Sequence, residues 1–255
     1  MTDTTPSEPP LLRVAGVTKR FGAVEALRGV DLDVRGGEVV ALLGDNGAGK
    51  STLIKIIAGN VAPDAGDIQV EGASVLPLSP ARSRALGIET VYQDLSLCPN
   101  LDVVANFFMG RERMRRRFGV SVLDEKTMAG ETTEALERIG AKLPSVKVAV
   151  GHLSGGQRQA IELARFVHWG GRLVILDEPF AALGVEQTRR GLELIQRVRE
   201  RGIAVIVITH NMAHAFRTAD RIVVLRQGRV VSDRPTAETT SEEAIEAING
   251  VAISE

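Results

Sequence analysis

The chain has 255 residues, enough for one large domain or one domain carrying an inserted subdomain. Its 31 basic and 32 acidic side chains leave a formal net charge of −1, so no bulk field draws it to nucleic acid or anionic lipid, and its 44% hydrophobic content can bury a full core. One cysteine, Cys98, excludes an internal disulfide framework and fits a reducing compartment, and no apolar run approaches the ~20 residues that span a bilayer.

Residues 1–10, MTDTTPSEPP, lack a basic n-region and an apolar h-region, so they read as a disordered tail before a domain over 11–255. The expected location is cytoplasmic, with docking on a membrane protein left open. Residues from about Leu11 to Val34 alternate as an antiparallel β region with a turn at Phe21-Gly22. Val39–Leu43 is a continuous apolar run between glycines, the pattern of a fully buried strand, and Lys50–Ala58 follows with helical spacing. DIQVEG and IETVY predict further strands. From about 94 to 165 strand signals fade, and LDVVANFFMG and LDEKTMAGETTEALERIG predict helices of an inserted subdomain. The basic run between them, Arg111–Arg117, reads as a solvated helix end or loop, with a headgroup or partner contact as the weaker alternative. LVIL and IAVIVIT are buried-strand runs separated by a helix over Val185–Arg201, RIVVLRQGRVVS predicts a hairpin, and SEEAIEAING predicts a short helix ending at Gly250. Strand–helix–strand order argues for a mostly parallel sheet covered on both faces.

GDNGAGKS, Gly44–Ser51, matches G-x-x-x-x-G-K-[ST] between a buried strand and a helix, where a phosphate loop belongs. Glycines let the backbone turn tightly and aim N–H groups at phosphate oxygens, and the helix N-terminus adds partial positive charge. Lys50 can reach the β- and γ-phosphates, and the Ser51 hydroxyl can ligate Mg²⁺. Asp177 closes an apolar strand; beside a phosphate loop it becomes a candidate for holding Mg²⁺ through water, whereas alone it would read equally well as a helix cap. Glu178 is placed to act as general base on an attacking water. In LSGGQRQ, Ser154 and Gln157 form a capping box, but Gly155 and Gly156 weaken a helix start and make sense if another group approaches the backbone closely. A second phosphate-binding helix start is the natural candidate, and it can serve a nucleotide held by another copy.

GDNGAGKST, Gln93 in VYQDLSL, LSGGQRQ, LVILDEP and His210 in VITH occur in the order seen in ATP-binding-cassette ATPases, and the chain resembles that family over nearly its whole length. The resemblance implies an α/β fold: a P-loop NTPase of RecA-like type with a mostly parallel sheet core, an N-terminal antiparallel β region and an inserted α-helical subdomain. It implies a head-to-tail dimer with two ATP molecules at its interface. Each would lie between Gly44, Asp45, Asn46, Gly47, Ala48, Gly49, Lys50, Ser51 and Thr52 of one copy and Ser154, Gly155, Gly156 and Gln157 of the other. It also implies that Phe21 stacks on adenine, that Gln93 senses Mg²⁺ and the membrane partner, and that His210 contacts the γ-phosphate. Taken alone, Phe21 reads as a turn or core aromatic, Gln93 as a polar strand end and His210 as a satisfied strand-end histidine. His152, His168 and His214 match no motif and read as structural.

LSLCPNLDVVANFFMGRE, EPFAALG and HNMAHAFRTADRIVVLRQGR are similar to segments of monosaccharide importers of the ribose, xylose and fructose type. With a single phosphate loop, the chain is similar to the single-cassette form. The implied partners are membrane permease subunits and, indirectly, a sugar-binding protein, with the chain peripheral on the cytoplasmic side of the membrane and no nucleic acid bound. Gly184 stands where much of the family has an acid that couples the two nucleotide sites; glycine is familiar there in sugar importers. Phe180 replaces a commoner threonine. Two alternatives stay open: a soluble cassette ATPase of a cytosolic assembly such as iron–sulfur cluster biogenesis, and a nucleotide-clamped regulatory module.

Overall fold

The computed structural model describes residues 9–91, 97–117, 120–180 and 184–250. In chain order they form β1 (Leu12–Phe21), β2 (Val24–Val34), β3 (Val39–Leu43), α1 (Lys50–Ile57), β4 (Ala65–Val70), β5 (Ala73–Ser74), α2 (Pro80–Ala85) and β6 (Ile88–Val91). There follow α3 (Val103–Phe108), β7 (Met114–Arg117), β8 (Val120–Leu123), α4 (Glu125–Arg138), α5 (Gly155–His168), β9 (Leu173–Asp177) and α6 (Val185–Arg199). The chain continues with β10 (Ala204–Ile208), α7 (Met212–Thr218), β11 (Arg221–Arg226), β12 (Arg229–Pro235) and α8 (Ser241–Asn249). Contacts divide these into two units, Met1–Thr90 with Gly171–Pro179 and Arg199–Glu255, and Val91–Gly170 with Phe180–Val198. Eight residues of the expected N-terminal tail lie outside the described residues.

The first unit holds two sheets. One has the order β2-β1-β4-β5 and is antiparallel. Its pairing aligns Leu12 with Val34 and Val70, and Val14 with Leu32 and Ile68, so one face is a continuous apolar layer and all six side chains are buried. The other sheet has the order β12-β11-β3-β10-β9-β6, with β11, β3, β10 and β9 parallel. Every residue of β3 and β10 is buried, as unbroken apolar strands in the middle of a covered sheet must be. Leu53, Ile54, Ile56 and Ile57 of α1 join both apolar layers in one core. That core fixes the carboxyl ends of β3, β10 and β9 relative to one another.

The second unit is built mainly from helices. Asp102, Asp124 and Ser154 cap α3, α4 and α5 through side-chain bonds to the first-turn amides. Phe107, Phe108, Met128, Leu136, Ile161 and Leu163 are buried among them. Leu192, Ile195 and Val198 form the buried face of α6 as the spacing predicts, and Arg197 ties that helix to the end of α4 through the carbonyls of Ile139 and Gly140. One expectation is overturned in part. Arg111–Arg113 is the exposed loop expected, but Met114–Arg117 is not: it pairs with Val120–Leu123 as an antiparallel strand. The valines of VSVL favour that pairing, and the arginine run hides it from a hydrophobicity pattern.

Candidate functional site

Leu43 ends β3 at the carboxyl edge of the sheet, and the chain turns there through Gly44. The backbone at Gly44 has φ +148°, and a Cβ would lie 2.2 Å from the carbonyl oxygen of Leu225. Gly49 has φ +109°, and a Cβ would lie 2.6 Å from the carbonyl oxygen of Ala26. Only glycine fits either place, so the loop path is set by packing against β11 and β2. Asp45, Asn46 and Gly47 are exposed at its tip, and Ala48 is buried beneath it. The helix that follows starts differently from its neighbours. α2, α3, α4, α5, α7 and α8 each begin on a side-chain cap, whereas α1 begins on Gly49 with no side-chain cap and no acid in its first turn. Its first amides and its dipole are thus left for an anion from outside the helix.

Lys50 folds back over the loop, and its Nζ donates to the carbonyl oxygens of Gly44 at 2.6 Å and Asp45 at 3.0 Å. Burial lowers its pKa, and Glu178, Asp177 and Asp45 act in the opposite sense. The lysine therefore lies within electrostatic reach of both acids of the DEP sequence. Register explains why: β10 lies between β3 and β9, with Ile208 opposite Leu42 on one side and Asp177 on the other. Burial raises the pKa of Asp177, Glu178 raises it further, and Lys50 pulls it down.

Glu178 leaves the strand with φ 47°, an uncommon conformation for a residue with a side chain, and its N–H donates to the carbonyl of Ile208 at 2.9 Å. This turns the carboxylate toward the end of β10, where Oε1 lies 2.8 Å from Nδ1 of His210. The His210 side chain is 78% exposed and that of Glu178 25%, so the imidazole stands at the mouth and the carboxylate below it. With Glu178 ionised, Nδ1–H is the donor, and Nε2 points away from the pair.

The structure thus brings Gly44–Thr52, Asp177, Glu178 and His210 together in the first unit. Phe21, at the end of β1, is half exposed, with Lys19 Nζ 5.5 Å from its ring centroid. Ser154 and its turn belong to the second unit. Ser154 Oγ accepts from the N–H of Gln157 at 3.3 Å, and Gln157 Oε1 accepts from the N–H of Ser154 at 2.9 Å, the expected capping box. A Cβ on Gly156 would meet nothing nearer than the Gln187 side chain at 3.9 Å, so no internal contact requires glycine there. Gln93 lies outside the described residues. Gly184 is exposed, and its N–H donates to Gln187 Oε1 at 2.9 Å. Phe180 is buried with its ring over Gly191, where a Cβ would come within 2.5 Å of it.

One residue read as structural lies within electrostatic reach of the site. Burial lowers the pKa of His214, Arg217 adds to this, Glu178 opposes it and His210 adds again. The signal in the sequence was proximity: HNMAH puts His214 four residues after His210, on the helix that begins just past it.

Residues 27–181 match the ABC transporter family model, more than half of the chain. The xylose/arabinose import ATP-binding protein XylG of Sulfolobus acidocaldarius is 45% identical over 243 residues, spanning 95% of each chain. The fructose import ATP-binding protein FrcA of Rhizobium meliloti is 43% identical over 250 residues, covering 96% of this chain and 95% of that one. The ribose import ATP-binding protein RbsA of Yersinia pestis is 39% identical, covering 96% of this chain and 48% of that protein, so the chain spans about half its length. Among solved structures, cbiO1 of Clostridium perfringens, part of the ABC transporter complex cbiONQ, superposes with a TM-score of 0.79 at 26% identity and covers 96% of each chain. An ABC transporter cassette in its ADP conformation superposes with a TM-score of 0.79 at 23% identity, covering 94% of this chain and 95% of its own, a likeness of fold. The α/β phosphate-loop fold expected from the sequence is thus the fold found, and these relatives give no support to the iron–sulfur assembly alternative.

Proposed function

The chain belongs to the ABC transporter family, and from that premise we propose that it is the ATP-binding and ATP-hydrolysing subunit that powers a monosaccharide importer. One observation carries the ATPase reading. A phosphate loop, a lysine, two carboxylates and a histidine converge at the carboxyl ends of three adjacent parallel strands, β3, β10 and β9. The import reading rests on the names of the relatives that match along almost their full length.

In this mechanism the uncapped first turn of α1 and the loop amides of Gly44–Lys50 receive the phosphates of ATP. Lys50 exchanges its two carbonyl partners for the β- and γ-phosphates, so its reach is set before the ligand arrives. The Ser51 hydroxyl and the Asp177 carboxylate are hard oxygen donors beside the loop, which suits Mg²⁺. When bound, that ion supplies neutralisation of charge on the phosphate oxygens. Glu178 takes a proton from the attacking water as its oxygen bonds to the γ-phosphorus and the bond to ADP breaks. His210 holds the Glu178 carboxylate through Nδ1–H and leaves Nε2 for the γ-phosphate; making both contacts requires the doubly protonated ring. Gln93 is assigned the Mg²⁺ and permease contact, and Phe21 the adenine, its exposed ring being free to stack.

The second unit is assigned as the helical subdomain expected over 94–165. Its Ser154–Gln157 turn is taken to close on the ATP of a second, head-to-tail copy, and the empty space beside Gly156 supports that role. Permease subunits, served by a sugar-binding protein, would hold the dimer on the cytoplasmic face of the membrane. Among the described residues no helix is long and apolar enough to cross a membrane. The test is ATP turnover by the purified chain with and without its permease: hydrolysis that the permease stimulates supports the proposal, and ATP binding without hydrolysis in either setting favours the regulatory module.

A further inference from the structure

The arginine run that the ATP site leaves unused has a defined shape. Arg111–Arg117 contributes five positive charges and one negative to a chain whose net charge is −1. Two of its arginines hold the root of the hairpin. Arg111 and Arg113 stack on Trp169 at 4.7 and 5.8 Å from the ring centroid, Arg113 pairs with Glu131 at 3.3 Å, and the Arg113 carbonyl accepts from the N–H of Asp124. An isolated two-stranded hairpin is marginal in water, and this anchoring supplies the support it needs.

Beyond the root, the pairing of Met114 with Leu123, Arg115 with Val122 and Arg116 with Ser121 leaves both faces of the ribbon open. Arg115 and Arg116 are exposed. Among the described residues Arg116 has no ion pair, and Arg115 has only a longer-range attraction to Asp124. At the two ends of the ladder stand exposed aliphatic side chains: Met114, Val120 and Leu123 are 56%, 63% and 46% exposed, Met114 and Leu123 on the face of Arg116 and Val120 on the face of Arg115. Exposed arginines flanked by exposed aliphatics on both faces of one small ribbon are the chemistry of a membrane interface, where headgroups take the charge and the acyl boundary takes the apolar groups. A nucleic acid backbone would satisfy the arginines and leave the aliphatic side chains in water. Screening confines attraction to roughly 8 Å at physiological salt, so the hairpin's own charge decides, not the chain's total.

We propose that the strand pair β7 and β8 is a lipid contact, binding anionic phospholipid headgroups through Arg115 and Arg116 while Met114, Val120 and Leu123 enter the interfacial zone. The contact is independent of the ATPase reading and gives the chain a membrane affinity of its own.

Co-sedimentation of the full chain with vesicles tests it, using phosphatidylcholine alone and phosphatidylcholine mixed with phosphatidylglycerol. Binding is expected only to the mixed vesicles and is expected to be lost near 1 M salt, where the screening length falls to about 3 Å. Each arginine near an anionic surface strengthens binding by about five-fold, so Arg115→Gln/Arg116→Gln should weaken it by roughly 25-fold. Val120→Ser should weaken binding with the charge unchanged. ATP turnover of these variants should match the parent chain, because none of the three residues belongs to the ATP site, and melting of the double arginine variant should match it because both side chains are exposed. Equal binding to both vesicle types, undiminished binding by the double variant, or binding to a soluble polyanion with none to vesicles would each overturn the proposal.

Discussion

Replacing Glu178 with glutamine isolates the proton-accepting role from everything else that residue does. Glutamine has the same shape and inherits the same backbone strain at φ 47°, and the N–H bond to Ile208 is untouched. Its amide oxygen can still accept from Nδ1 of His210, so the 2.8 Å contact survives in one amide orientation. Only the charge and the basicity disappear. Glu178 is one of two effects raising the pKa of Asp177, after burial, so its neutralisation lets Asp177 ionise more readily, and ATP binding should not weaken. Turnover should fall by at least ~10²-fold, the low end for a positioned general base and about 2.7 kcal/mol of barrier. Steady-state phosphate release and equilibrium titration with a fluorescent ATP analogue separate the two effects. A variant that hydrolyses ATP near the parent rate would refute the role, and one that loses ATP binding would show that the charge serves the ground state.

Three further substitutions probe the neighbouring parts. Lys50→Ala removes the loop clasp on Gly44 and Asp45 as well as the phosphate contact, and calorimetry should show ATP affinity reduced by roughly 10- to 100-fold, the range for a hydrogen bond to a charged group. Gly156→Ala should raise the melting temperature, because alanine favours the helix by up to about 1 kcal/mol and the site has room for a methyl group, yet it should impair ATP-driven dimerisation; a variant that is more stable and dimerises normally would remove Gly156 from the nucleotide interface. Gly184→Asp meets only the Gln187 side chain, at 3.4 Å, so folding should be unchanged while the cooperativity of ATP turnover shifts; identical cooperativity would show that position 184 carries none of the coupling between sites.

Most of the site was legible because several weak signals fell in one place. Val39–Leu43 reads as a central strand from its unbroken apolar run, and the structure buries all five residues. The loop glycines read as phosphate-binding from spacing, and two of them prove irreplaceable because backbone carbonyls occupy the space of a side chain. The contact between Glu178 and His210 was not derivable from pattern. It depends on the neighbouring register of β9 and β10 and on a left-handed turn at Glu178, neither of which leaves a trace in composition. His214 was overlooked because a lone histidine in a helix ordinarily needs no function. The hairpin at 114–123 was hidden because arginine, exposed on both faces, carries no alternation for a hydrophobicity pattern to catch. α2 escaped notice although Ser79-Pro80 is a helix-start signal, being too short for its periodicity to register.

The most direct test of the central claim is to purify the chain from membranes by an affinity tag and to measure ATP turnover of whatever comes with it. The chain is expected to bring permease subunits, and turnover is expected to rise when a binding protein loaded with a pentose or hexose is added. A complex containing only soluble partners, or one whose turnover ignores every monosaccharide offered, would contradict the claim.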